Sequence, residues 1–98
     1  MTTYSPGDIV LCPFPFTDLT DVKRRPALVV SSEEYNAAMG DVVLAPITSN
    51  LSAPPVPGDH RIQDWGESGL IGPSVVRAKL TTIDSNLFVR TLGRLPHA

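Results

Sequence analysis

Lys23, Arg24 and Arg25 stand in a row before Pro26 in "VKRRPALVVSS", residues 22–32, and an apolar, β-branched run follows them. The other five of the eight basic residues are scattered singly. Cations gathered at the mouth of a buried strand suit an anion, and a guanidinium offers a planar fork that spans two phosphate oxygens. The plainer alternative is a solvated loop capping a strand edge. Arg25 has the best-defined backbone of the three, because proline fixes its own φ and pushes the preceding residue toward extended geometry. A second basic pair lies in "SVVRAKL", residues 74–80. With a period of two, Val75, Arg77 and Lys79 face one side of a strand while Val76, Ala78 and Leu80 face the other. Set beside the first cluster, that strand reads as a wall of a groove for a polyanion. The formal net charge is −2, so the cations form a focused site for a particular phosphate and not a general nucleic-acid coating. One cysteine, Cys12, and two distant histidines, His60 and His97, have no metal-ligand spacing. No metal or cofactor is expected, and Cys12, set in an apolar segment, reads as a buried inert thiol.

The elements that must position these residues are mostly strands. Ninety-eight residues make one domain with a single core. No run approaches the roughly 20 apolar residues of a membrane helix, and "MTTYSPGD" lacks the pattern of a signal peptide, so a small cytoplasmic protein is expected. The segments Asp8 to Phe14, Pro26 to Ser32, Asp41 to Ser49, Ser74 to Leu80 and Leu87 to Leu95 are short and rich in Val, Ile and Leu. Pro, Gly, Asp and Ser bound them, as they bound strands. Ser31 and Glu34 have capping-box spacing and Gly40 sits where a helix stops, which predicts one or two helical turns between the second and third strands. Residues 62–70 read as a second short helix ended by Gly69, with Trp65 as its core anchor. Two long loops, 13–22 and 50–59, are where function concentrates. The fold class is mainly β, a small, strongly curved antiparallel sheet or barrel.

If the second and third strands pair around the helical connection, its centre lies near Asn36, and residues equidistant from it face each other. Arg25 and Thr48 then fall at one end of the pair, so the basic cluster and "PITSN" meet at one rim. Pro46 implies an edge or a bulge there.

In this order, "GDIVLCPFPFTDLTDVKRRPALVVSS", "DVVLAPITSN" and "GLIGPSVVRAKLTTID" resemble the MazF/PemK family of toxin endoribonucleases, from about Gly7 to Leu95. The resemblance implies an SH3-like, CcdB/MazF-type antiparallel barrel with one or two short helices. It also implies a homodimer, metal-independent cleavage of single-stranded RNA, and an antitoxin whose acidic, flexible tail lies across the groove. Arg25 matches the family's catalytic arginine, Thr48 its catalytic threonine, and Arg77 a basic residue that some members use at the cleavage site. Lys23, Arg24, Ser49 and Lys79 are the expected RNA contacts, and Phe16 is placed to stack on an unpaired base. Such cleavage uses the ribose 2′-hydroxyl as nucleophile and leaves a 2′,3′-cyclic phosphate and a 5′-hydroxyl. Where some members carry an acidic residue two positions beyond Arg77, this chain has Lys79, and the first long loop has no histidine. Asp18, Asp21 and a deprotonated Lys79 stay open as the proton-transfer group. Relatives continue past "LGRL" into a C-terminal helix that a chain ending in "PHA" is expected to lack. Two other functions fit the same residues less well: a CcdB-like toxin that inhibits gyrase by binding it, and a catalytically weakened toxin that keeps only antitoxin binding.

Overall fold

The computed structural model describes residues 3–14, 23–51 and 54–96, and of Lys23 the main chain only. Within them run strands β1 (Asp8–Phe14) and β2 (Lys23–Val29), helix α1 (Glu33–Met39), and strands β3 (Asp41–Thr48), β4 (His60–Ile62), β5 (Ser74–Val76) and β6 (Thr81–Asp84). A 3-10 turn (Ser85–Leu87) and strand β7 (Arg90–Arg94) follow. The strands form one curled antiparallel sheet in the order β4-β5-β3-β2-β1-β7, with β6 added to β3. None of the described helices is long and apolar enough to cross a membrane.

Period-two alternation gives the sheet two apolar faces. Val10, Cys12, Phe14, Ala27, Val29, Val42, Leu44 and Ile83 build one core, closed by Tyr4 and Phe88, whose rings meet edge to face at 4.9 Å. Ile9, Ala45, Ile47, Ile62, Leu70 and Val76 build the other, with Leu28, Trp65, Leu92 and Leu95 against it. Trp65 is thus an anchor of the second core. Phe14 at the end of β1 is a core residue.

Several expected boundaries move. The second strand opens at Lys23 and ends at Val29, so the three cations lie within it, paired with β1 through Pro13↔Arg24 and Cys12↔Arg25. The N-cap of α1 is Ser32, not Ser31: Ser32 Oγ accepts the Tyr35 N–H at 3.1 Å, and Gly40 ends the helix at φ 71°. Residues 63–70 form a bend and a run of turns instead of a helix. Ile62 belongs to β4, and the chain then folds back with Leu70 N–H donating to Trp65 O at 2.9 Å. Two glycines permit this, since a Cβ on Gly69 would lie 2.0 Å from Leu92 O and one on Gly93 2.2 Å from Ser68 O. The expected strand 74–80 stops at Val76, and a separate strand begins at Thr81. The expected last strand from Leu87 likewise starts at Arg90, after a 3-10 turn capped by Asp84.

Ser31, displaced from the capping role, joins a buried network around Asn36. Asn36 Nδ2 donates to Tyr4 O at 2.8 Å and Ser31 O at 3.2 Å. Ser31 Oγ donates to Asn36 Oδ1 and accepts the Val43 N–H at 2.9 Å. The helix is thereby fastened to both the N-terminal segment and β3.

Removing Asn36 leaves buried carbonyls unsatisfied, so Asn36→Ala should cost about 1–3 kcal/mol, read as a lowered Tm; an unchanged melting curve would show that the network contributes nothing. Burial pushes the Cys12 thiol from 9.0 up to about 11, so the folded protein keeps it protonated while the unfolded chain ionises it first. Its contribution to stability is complete below pH 9 and declines as pH rises from 9 toward 11. A thiol reagent at pH 8 should label Cys12 only after denaturant is added, and prompt labelling of the native protein would contradict this.

Candidate functional site

Two prolines shape the place where the cations gather. β2 and β3 pair at Ala27↔Pro46, Leu28↔Ala45 and Val29↔Leu44. Carried past Pro46, the same register sets Arg25 opposite Thr48. On its other edge β3 pairs first with β6, from Asp41↔Asp84 to Leu44↔Thr81. It then switches to β5, at Ile47↔Val76 and Thr48↔Val75. The next pair in that ladder would be Pro46 with Arg77. Arg77 N–H does donate to Pro46 O, at 2.9 Å, but proline has no N–H to return the bond. The ladder stops, and this is why the strand expected to reach Leu80 ends at Val76.

The break aims the side chains. Arg25, Pro46, Ile47, Thr48, Asn50, Arg77 and Lys79 line one cleft of about 210 Å³. It holds a guanidinium from β2, a hydroxyl from the end of β3, and a guanidinium and an ammonium from the segment after β5. Arg77 and Lys79 reach the same cleft although they no longer belong to one strand. Thr48 Oγ1 accepts the Asn50 N–H at 3.1 Å, which holds the oxygen in place and leaves its own proton to be donated elsewhere. Arg77 also lies 3.7 Å from Asp59 Oδ2.

A larger groove of about 620 Å³ adjoins the cleft through Arg25 and Ile47. Leu11, Leu51, Leu70, Ile71 and Leu92 give it an apolar floor, and Arg24, Arg25 and Arg90 rim it. Ile71 is wholly exposed, at 102 %.

The sequence-predicted residues therefore divide. Arg25, Thr48, Arg77 and Lys79 come together in the cleft, whereas Arg24 and Ser49 line the adjoining groove. The Lys23 side chain, Phe16, Asp18, Asp21 and His97 lie outside the described residues. His60 is an exposed residue of β4 and lines neither the cleft nor the groove. Sequence reasoning missed Asn50, Asp59 and the wall formed by Leu70 and Ile71. The turn signal "PGD" marked where Asp59 sits, but nothing local marked its partner. Among the described residues no three His, Cys, Asp or Glu side chains are gathered in a manner that would hold a metal.

Residues 5–98 match the family described as PemK-like, MazF-like toxin of type II toxin–antitoxin system. Among solved structures the chain is similar to MazF from Deinococcus radiodurans, with TM-score 0.75 and 26% identity over 98% of this chain and 84% of that one. It is also similar in fold to the Mycobacterium tuberculosis toxin MazF-mt6, with TM-score 0.73 and 24% identity over 92% and 81% of the two chains. A mycobacterial endoribonuclease in complex with its cognate antitoxin has the same fold, with TM-score 0.66 and 20% identity over 99% and 81%. No curated protein matches the chain.

Proposed function

The chain belongs to the PemK-like, MazF-like toxins of type II toxin–antitoxin systems, and from that premise we propose that it is an endoribonuclease that cuts single-stranded RNA in the cleft between β2 and the end of β3. The observation that carries this reading is the convergence of Arg25, Thr48, Arg77 and Lys79 on one cleft from three separate parts of the chain. The donors there are guanidinium, hydroxyl and ammonium groups, which suit phosphoryl oxygens and their developing charge.

In the reaction the ribose 2′-oxygen forms a bond to phosphorus and the bond from phosphorus to the 5′-oxygen breaks. The 2′-hydroxyl gives up a proton and the leaving 5′-oxygen gains one, so the products are a 2′,3′-cyclic phosphate and a 5′-hydroxyl. The phosphorane between them carries an added negative charge. Arg25 spans two of its oxygens, and one such preorganised donor is worth about 3–4 kcal/mol in the transition state. Thr48, its oxygen already held by Asn50 N–H, donates its proton to a phosphoryl oxygen or orients the 2′-hydroxyl. Arg77 and Lys79 add charge from the opposite wall. Asp18 and Asp21 are our candidates for proton transfer, on the segment that leads into β2.

The apolar groove beside the cleft suits a second copy of the chain, its two-fold contact centred on Ile71 and Leu51. The cationic rim suits the acidic tail of an antitoxin, and the similar mycobacterial endoribonuclease is itself seen with its cognate antitoxin. A toxin that worked by gripping gyrase would use such an apolar surface and would have no need of Arg25 or Thr48.

Cleavage of a long single-stranded RNA should run at the same rate in excess EDTA and give 5′-hydroxyl ends; dependence on added Mg²⁺ would overturn the mechanism. Arg25→Ala should lower single-turnover cleavage about 10²- to 10³-fold with Tm unchanged, Arg25→Lys should recover little, and Lys23→Ala should mainly flatten the salt dependence of binding. A fully active Arg25→Ala would return these cations to the role of a solvated strand cap. Light scattering should report twice the chain mass, falling to the chain mass in Ile71→Asp, whereas a monomeric native protein would remove the groove from the dimer contact.

A further inference from the structure

We propose that Asp59 is a positioning residue for Arg77, holding its guanidinium at the cleft while the arginine alone meets the phosphate. The proposal rests on the reading of the cleft as a site of RNA cleavage.

Asp59 lies in the turn that leads into β4, far from the cations in sequence. Its side chain is 10% exposed against 27% for Arg77. Oδ2 accepts the Val56 N–H at 3.0 Å and sits 3.7 Å from Arg77 Nη1. Oδ1 is shut away from solvent and has no hydrogen-bond partner among the described residues. A buried carboxylate is costly unless a cation balances it, and Arg77 is the cation that the structure places against it. At 3.7 Å the contact is longer than a hydrogen bond. It is a charge pairing that leaves the guanidinium N–H groups for an incoming anion.

The turn itself is fixed. Asp59 N–H donates back to Val56 O at 3.1 Å, so the two residues exchange bonds. Gly58 has φ +93°, and a Cβ there would come 2.7 Å from Ala78 Cβ. The turn is therefore seated on the residue next to Arg77. Arg77 is held from two directions, by its main chain on Pro46 and by its side chain against Asp59. It lines both the cleft and a second cavity of about 180 Å³ that Asp59, Arg61, Asn50 and Val75 share. Asp59 is poorly placed to take a proton from substrate itself, because one oxygen is inaccessible and the other is engaged. Its effect must pass through Arg77.

Asp59→Asn is the discriminating variant, since its amide oxygen can still accept the Val56 N–H while the charge is gone. On a single-stranded RNA substrate it should lower kcat about 10- to 100-fold, the scale of a misplaced catalytic group, with KM within about twofold. In an Arg77→Ala background the same change should cost nothing further, because the two residues act as one unit. Additive losses, or native kcat in the single variant, would overturn the proposal. Phenylglyoxal labelling of Arg77, read by mass spectrometry, tests the pairing without any cleavage. Labelling should be several-fold faster in Asp59→Asn, and an unchanged rate in a folded variant overturns the proposal. If the native protein cut no RNA at all, the ribonuclease reading would fall, and the labelling would still decide whether Asp59 holds Arg77. Should Asp59→Asn not fold, Asp59→Glu keeps the charge one methylene further out. It should lower kcat only where Arg77 is present, and an equal loss in Arg77→Ala overturns the positioning role.

Discussion

The nitrogen of Pro46 carries no hydrogen, and the site is arranged around that missing donor. β3 is the strand on which the sheet hinges, with β2 on one edge and β6 then β5 on the other. A residue able to donate at position 46 would let the ladder with β5 run on through Arg77, and a continuing strand would alternate its side chains across the sheet. Pro46 accepts from Arg77 and returns nothing, so the chain departs from the sheet at Arg77, which lines the cleft. Pro26, the next residue along from Arg25, constrains the facing strand. Two residues that weaken sheets thus open a cleft in one without unfolding it.

The electrostatics follow the same economy. A chain of formal net charge −2 repels polyanions at long range, yet four polar or cationic groups converge on one cleft. Focused charge of this kind favours a single phosphate over the general backbone of a nucleic acid. The Asp59 carboxylate lies 3.7 Å behind one of those groups, the Arg77 guanidinium. A guanidinium balanced by a buried anion need not be ordered anew when substrate arrives.

Much of this was legible in the sequence, and the parts that were not share a cause. The β-branched runs marked the strands because period-two burial is local. The meeting of Arg25 and Thr48 could be read because the helical connection is centred close to Asn36, and the observed Ala27↔Pro46 register agrees within one residue. The end of β5 was hidden, since Pro46 marks a break only once its partner is known. Ser31 and Ser32 are chemically alike, and their roles were decided by Asn36 reaching back to Tyr4. Asp59 had no periodic signal. Its neighbour across the fold is Arg77, and only the chain's path past Gly58 brings the two together.

Gly69 and Gly93 press main chain against main chain, with no side chain between them. The turn that brings Leu70 and Ile71 to the apolar groove is therefore set close against β7 by main chain, with Leu70 packed into the second core and Ile71 facing outward. Ile71, wholly exposed, is released from any duty of holding the fold. Ile71 can change with whatever comes to cover the groove while the cleft next door keeps its shape. Between toxins of this family, partner choice and chemistry can evolve on separate clocks.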